Sequence, residues 1–259
     1  MRYLIIGNSA AGINAASAIR LMDPLGDITI ITKEKFYSYG RPLISYYLSN
    51  KIQPENMYYH NQIFYTQQHL NIMLNTEVQA ININRKELLI KTINNTKNVI
   101  LYDKLLIASG SSPIKPSILG LDYNCNNVCT FLSYQDSIKL KSMITNSSKV
   151  VILGAGLIGL KVAEGLCGQV NSINVIDLSD RIMSSTLDIS SAYIVQKHME
   201  SYNINFKLKT SVTEVLKDNN DKIYKVVLSN GETLDCNILI IAIGVTPNVH
   251  LAKQAGLNV

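Results

Sequence analysis

The sequence predicts an α/β protein assembled from two similar parallel-sheet units, and three observations carry that reading. Arg2-Tyr3-Leu4-Ile5-Ile6 runs into Gly7-Asn8-Ser9-Ala10-Ala11-Gly12, and Lys149-Val150-Val151-Ile152-Leu153 runs into Gly154-Ala155-Gly156-Leu157-Ile158-Gly159. Each glycine-rich turn opens a helical pattern and is followed by a second apolar run that ends beside a carboxylate, Glu34 in one copy and Asp177 in the other. The strand candidates are apolar on both faces, as expected where a parallel sheet is covered on both sides.

In order along the chain, residues 2–6 read as a strand and Ala10 to about Met22 as a helix, stopped by Asp23-Pro24-Leu25-Gly26. Ile28 to Thr32 returns as a strand, completing a βαβ unit. A loop then carries Phe36-Tyr37-Ser38-Tyr39-Gly40-Arg41-Pro42 into a short helix through Ser45, Tyr46 and Tyr47. Asn61 to Leu70 reads as helical. Val78–Ile83, Leu88–Thr92, Val99–Leu101 and Lys104–Ala108 read as β-structure. Ser109 to Gly120, with two prolines and two glycines, is a turn-rich boundary. Beyond it come a helix near Tyr134–Ile144, the second strand–turn–helix, and a strand at Ile173–Ile176. A helix near Ile189–Tyr202, a β-meander (Asn205–Leu208, Val212–Leu216, Ile223–Leu228) and a last strand at Ile238–Ile243 complete the repeat.

A chain of 259 residues with 47% apolar and 17% charged side chains is globular and long enough for two domains. No apolar run approaches the ~18–20 residues that span a bilayer. With a strand starting at Arg2 there is no room for a leader, so the expected compartment is the cytoplasm. The net charge of +5 is spread without a Lys/Arg block, which argues against nucleic acid and reads first as a solvated surface, with steering of an acidic protein partner as the alternative. Four cysteines in such a chain are not a disulfide framework, and Cys125 and Cys129 lack a second ligand pair, so no metal site is expected.

The two turns point to dinucleotides. A pyrophosphate needs N–H donors and positive potential with no bulky side chain in the way, and a helix N-terminus behind glycines supplies both. Gly154 makes the tight turn, Gly156 admits the phosphates, with Leu157 and Ile158 at the helix start, and Gly159 allows close helix–strand packing. Asp177 stands where a carboxylate can accept from a ribose 2′-hydroxyl and repel a 2′-phosphate, favouring NAD over NADP; Arg181 nearby weakens that preference. In the first turn Ser9 replaces the middle glycine, between Gly7 and Ala10-Ala11-Gly12, and Glu34 is the ribose candidate. The fold class is thus two Rossmann-like dinucleotide-binding domains, each with a small β-meander.

These segments, with Tyr39-Gly40-Arg41-Pro42-Leu43, Tyr102 to Gly110 and Ala242-Ile243-Gly244-Val245-Thr246-Pro247-Asn248, resemble the FAD-dependent pyridine nucleotide-disulfide oxidoreductase family. The resemblance is closest to its thiol-free branches, the rubredoxin, ferredoxin and nitrite reductase flavoproteins. It implies an FAD domain over residues 1–112, an inserted NAD(P) domain over 113–240, and the start of a second FAD segment over 241–259. It implies FAD on Gly7, Ser9, Gly12, Glu34, Arg41, Pro42, Ala108, Ser109, Gly110 and Gly244, and NADH on the second turn. The implied activity is hydride transfer from NADH to FAD and onward electron transfer to a small acidic carrier such as rubredoxin or ferredoxin.

The chain departs from that family pattern in three ways. No cysteine comes soon after the second strand, the first in the chain being Cys125, so disulfide and peroxide chemistry are not expected. Where ferredoxin-reductase relatives carry a Lys and a Glu, this chain has Tyr46 and Lys161, which makes Lys161 the catalytic candidate, with a solvated helix residue as its bland alternative. The family's later Gly-Asp is missing before Val259, so a C-terminally truncated piece is expected, and the oligomeric state stays open. An NADH oxidase that reduces oxygen, and a non-catalytic dinucleotide-binding fragment, are the competing readings.

Overall fold

The computed structural model describes residues 1–259, and Cα packing divides them into two units. One comprises Met1–Gly40, Glu55–Ser111 and Pro247–Val259; the other comprises Arg41–Pro54 and Ser112–Thr246. In chain order the elements begin with β1 (Arg2–Ile6), α1 (Ala10–Met22), β2 (Asp27–Ile31), α2 (Ile44–Leu48), α3 (Gln62–Gln67) and β3 (Leu70–Met73). They continue with β4 (Thr76–Asn82), β5 (Glu87–Thr92), β6 (Lys97–Leu101), β7 (Lys104–Ile107), β8 (Ser111–Pro113), β9 (Val128–Thr130) and α4 (Tyr134–Met143). Then follow β10 (Lys149–Leu153), α5 (Leu157–Leu166), β11 (Ser172–Ile176), α6 (Ile189–Glu200), β12 (Ile204–Lys207) and β13 (Val212–Lys217). The chain closes with β14 (Ile223–Leu228), β15 (Thr233–Asp235), β16 (Ile238–Ile241), β17 (Val245–Pro247) and α7 (His250–Gln254).

In the first unit a parallel sheet runs β3-β2-β1-β7, and β4, β5 and β6 form a separate antiparallel meander. The period-2 alternation of β1 and β2 sorts the core. Ile5, Ile28 and Ile30 pack with Ile13 and Ala16 of α1 and Tyr65 of α3, while Leu4, Ile6 and Ile31 pack with Val78, Leu88 and Ile90 of the meander. Both faces are therefore covered, which is why these strands read as unbroken apolar runs.

The second unit repeats the plan: a parallel sheet β12-β11-β10-β16-β9 and a meander β13-β14-β15. Val151, Leu153, Ile176, Leu239 and Ile241 pack against Val212, Val215, Val226 and Leu228 of that meander. Strand order and direction match across the copies, β3-β2-β1-β7 corresponding to β12-β11-β10-β16. The expected α/β fold with two duplicated units, each with a meander, is what the chain adopts.

Three local expectations differ. The helix expected over Asn61–Leu70 stops at Gln67, because His69 takes φ +47° and Leu70 turns into the sheet beside Ile28. Arg20 fastens that corner, donating from Nε to the Gln68 carbonyl (2.9 Å) and from Nη2 to that of His69 (2.7 Å). The run at 205–208 is not the first meander strand but the edge of the parallel sheet, pairing Ile204 with Ile173, and Thr233–Asp235 supplies the third meander strand. A four-residue run that alternates apolar and polar residues carries no mark of its partner, so periodicity could not separate these outcomes. Val128–Thr130 is an unforeseen edge strand.

Helix α2 lies tight against α5: a Cβ on Gly165 would stand 3.1 Å from the Ser45 carbonyl oxygen and 3.2 Å from Leu48 Cδ2. Gly165→Ala gains up to ~1 kcal/mol of helix propensity but forces a close contact with main chain, costing ~1–3 kcal/mol. We expect a net loss of about 1 kcal/mol in urea unfolding; a gain would mean that α2 yields freely. No helix is long and apolar enough to cross a membrane.

Candidate functional site

The two glycine turns are superposable in their bonding. Gly7 N–H donates to the Ile31 carbonyl and Gly154 N–H to that of Ile176, each at 2.8 Å, so each turn is pinned to the end of the neighbouring strand. Gly7 has φ +113° and Gly154 φ +107°, a region that L side chains rarely adopt. A Cβ at Gly12 would stand 1.9 Å from the Gly7 carbonyl oxygen, and one at Gly159 equally 1.9 Å from that of Gly154. Both helices can therefore start only with glycine at this place. The first residue after the far strand completes each turn. A Cβ on Gly7 would meet the Ala108 carbonyl oxygen at 2.1 Å and one on Gly154 would meet that of Ala242 at 2.3 Å.

The middle positions differ. A Cβ on Gly156 would have nothing within 4 Å, so open space lies before the start of α5, as a phosphate-sized guest requires. In the first turn Ser9 occupies the corresponding place as the N-cap of α1. Its neighbour Asn8 is buried, with Oδ1 accepting from the Tyr65 hydroxyl at 2.7 Å. That hydroxyl in turn accepts from Ser38 N–H at 3.1 Å, so the turn, the loop and α3 are tied together. Asn8 Nδ2 has no partner, a buried donor without an acceptor beside an anion-favouring helix terminus. The open space at Gly156 and the idle donor at Asn8 fit two dinucleotides.

The acids follow. Tyr39, itself buried, donates its hydroxyl to Glu34 Oε2 at 2.8 Å. Asp177 is half-buried and accepts from Ala155 N–H (Oδ2, 2.7 Å) and from Ser179 N–H (Oδ1, 2.8 Å). The acid of the second copy is thus bonded directly to its own glycine turn. Ser109 and Asn248 exchange bonds, Ser109 Oγ–H to the Asn248 carbonyl (2.9 Å) and Asn248 Nδ2–H to the Ser109 carbonyl (2.8 Å), beside Gly110 with φ +67°.

Gly7, Ser9, Ala10, Ala11, Gly12, Glu34, Ala108, Ser109 and Gly110 belong to the first unit, and Gly154 to Gly159, Asp177 and Gly244 to the second. Arg41 and Pro42 belong to the second unit as well, where Arg41 Nη1 donates to the Leu132 carbonyl at 3.1 Å. Gly244 has φ +120°, and its carbonyl accepts from Ile114 N–H at 3.0 Å. Lys161 is engaged: its Nζ lies 2.5 Å from Glu164 Oε2 and 4.8 Å from the centre of the Tyr46 ring. The positions flagged as a lost ion pair still meet, as a cation over an aromatic face. Lys161, and Lys51 beyond it, hold the Glu164 carboxyl below its ordinary range.

Asn8, Ala155 and Ala242 lie within the motifs read from the sequence but were not named there as site residues. The repeat itself held the signal for Ala242, which stands to the second turn as Ala108 does to the first; Asn8 and Ala155 carried no motif beyond their places between glycines. Cys125, Cys129 and Cys236 are buried, and burial pushes the thiols of Cys129 and Cys236 up to about 12, so neither ionises near neutrality. Cys125 faces Asp122 and Asp221 rather than Cys129, and Lys217 already bonds Asp221 at 2.9 Å.

The sequence pattern of the pyridine nucleotide-disulphide oxidoreductases matches residues 1–259. The chain belongs to that family. Its members work with FAD and a nicotinamide dinucleotide. Rubredoxin-NAD(+) reductase of Acinetobacter baylyi is 33% identical over 98% of this chain and 65% of its own length. That of Pseudomonas putida is 30% identical over 100% and 66%, and an NADH oxidase of Methanocaldococcus jannaschii is 31% identical over 100% and 58%. Among solved structures, an NAD-dependent persulfide reductase from A. fulgidus matches with a TM-score of 0.91 at 30% identity, covering 100% of this chain and 49% of that one. The chain spans less than two thirds of the length of these relatives.

Proposed function

We propose that this chain carries the FAD-binding and NAD-binding parts of a flavin-dependent oxidoreductase that takes hydride from NADH and passes electrons to a small acidic carrier of the rubredoxin or ferredoxin kind. The observation that supports it most is the doubled cradle, two glycine turns with the same main-chain bonding and each with its own acid. In this reading FAD lies on the first turn, with Asn8 and the α1 amides toward its phosphates, Glu34 toward its ribose, and Ala108, Ser109 and Gly110 alongside. By the family pattern 1–112 and 241–259 are then the FAD segments and 113–240 the NAD domain, while Cα packing groups 41–54 and 241–246 with the latter. Acceptance of a hydride and release of electrons singly is chemistry the flavin supplies when bound.

The chain's own part is binding and orientation. The amides at the start of α5 face the NADH pyrophosphate, and Gly156 leaves the room. Asp177 accepts from the ribose 2′-hydroxyl and repels a 2′-phosphate, which favours NADH. Lys161, held by Glu164 and the Tyr46 ring, is the candidate to lie beside the nicotinamide. No side chain is required to move a proton in hydride transfer. The net charge of +5 suits an acidic carrier, and a supply of NADH suits the cytoplasm. Similarity to an NADH oxidase favours a second reading, in which oxygen takes the electrons.

An anaerobic absorbance titration tests the proposal. Protein reconstituted with FAD is expected to lose its visible flavin band on stoichiometric NADH and to regain it on adding an oxidised iron–sulfur carrier. A band that persists with excess NADH refutes the first half-reaction. Reoxidation by air at a rate that carriers do not change favours the oxidase.

A further inference from the structure

We infer that Arg181 is a positioning residue that braces the loop 177–188 against the second glycine turn, and that it does not read a 2′-phosphate. The inference rests on the NADH reading of that turn and deepens it. From sequence alone an arginine just past the ribose acid is a candidate for the extra phosphate of NADPH. The structure gives its guanidinium another employment. Nε donates to the Leu187 carbonyl at 3.1 Å, Nη2 to the Ser184 carbonyl at 3.0 Å, and Nη1 to Asp180 Oδ1 at 3.0 Å. Two prongs of the fork hold main chain and the third is matched by a carboxylate, so little unbalanced charge is left for a phosphate.

What the brace supports is Ala155. Its N–H is taken by Asp177, and its carbonyl accepts from Met183 N–H at 2.8 Å, so the loop grips the glycine turn from both sides of one residue. Met183 has φ +47°, a conformation that costs a non-glycine residue and needs outside support. That support is local: Thr186 and Leu187 N–H groups both donate to the Met183 carbonyl, Ile182 is fully buried, and Arg181 bonds the carbonyls of Ser184 and Leu187 on the same turn. Without the guanidinium the turn loses two of its fasteners, and the Met183–Ala155–Asp177 clamp loosens with it.

Protein whose bound flavin has been reduced beforehand with dithionite, so that no hydride can be transferred, is titrated anaerobically with NADH and with NADPH, read by nucleotide fluorescence, for wild type, Arg181→Ala and Arg181→Lys. Two lost hydrogen bonds predict about a tenfold weaker affinity in Arg181→Ala, equal for both nucleotides, with flavin content unchanged. Arg181→Lys is expected to behave like Arg181→Ala, because one ammonium cannot span both carbonyls, and millimolar guanidinium should restore NADH affinity to Arg181→Ala. The inference is overturned if Arg181→Ala loses NADPH affinity while NADH affinity stays, if Arg181→Lys keeps wild-type affinity, or if no variant changes either. Should Arg181→Ala fail to fold, the Arg181→Lys titration decides between these outcomes. Wild-type protein that binds neither nucleotide refutes the NADH reading itself, and the inference with it.

Discussion

Gly156→Ala is expected to fold as well as wild type and to bind NADH roughly 10–100-fold more weakly, about 1.4–2.8 kcal/mol. Gly156 has φ −79° and ψ −179°, extended backbone open to any residue, and an added methyl meets nothing within 4 Å. Its cost to the helix cap is within ~1 kcal/mol, but the methyl stands where the pyrophosphate must approach the α5 amides. Gly159→Ala should give the opposite signature. A Cβ 1.9 Å from the Gly154 carbonyl oxygen cannot be relieved by rotating a side chain, so the turn itself must open. A stability loss of ~3 kcal/mol or more is expected, with NADH binding lost as a consequence. Thermal unfolding alongside NADH titration separates the two. Gly156→Ala with unchanged NADH affinity would remove the nucleotide from this turn.

Asp177→Asn should collapse the preference for NADH over NADPH by on the order of 100-fold, about 2.7 kcal/mol. The Asn side chain can keep an acceptor toward one of the Ala155 and Ser179 amides, so the turn is largely preserved while the charge goes. A carboxylate some 4 Å from a 2′-phosphate costs about 4 kcal/mol per charge pair at an effective dielectric near 20, and solvent and salt reduce this. The ratio of kcat/KM for the two nucleotides is the measurement. Wild-type protein that uses NADPH as readily as NADH would show that Asp177 does not discriminate.

Much of this was legible along the chain, and the reason is steric. A strand feeding a tight turn and a helix needs glycine where the backbone is left-handed or two segments touch, and Gly7, Gly12, Gly154 and Gly159 announce that requirement. Glu34 and Asp177 are marked in the same way by distance from those turns. The bonds that hold the acids were not legible. Tyr39 on Glu34 and Ala155 on Asp177 depend on where a loop returns, and periodicity does not report loop paths. The role of Arg181 is a case in point, since its neighbours in sequence suggested a phosphate and its neighbours in space are carbonyls.

From the sequence alone came the duplication, the two glycine turns, the carboxylate after each and the want of a cysteine close behind the second strand, because each follows from local backbone geometry or from plain residue identity. Only the folded chain decided that Leu70–Met73 and Ile204–Lys207 join parallel sheets, that Ala108 and Ala242 press their carbonyls on the turns, and that Lys161 answers to Glu164 and Tyr46. Those outcomes are set by contacts between residues far apart in the chain, chosen by burial and by the need to pair every main-chain donor, and no short window of sequence contains both partners.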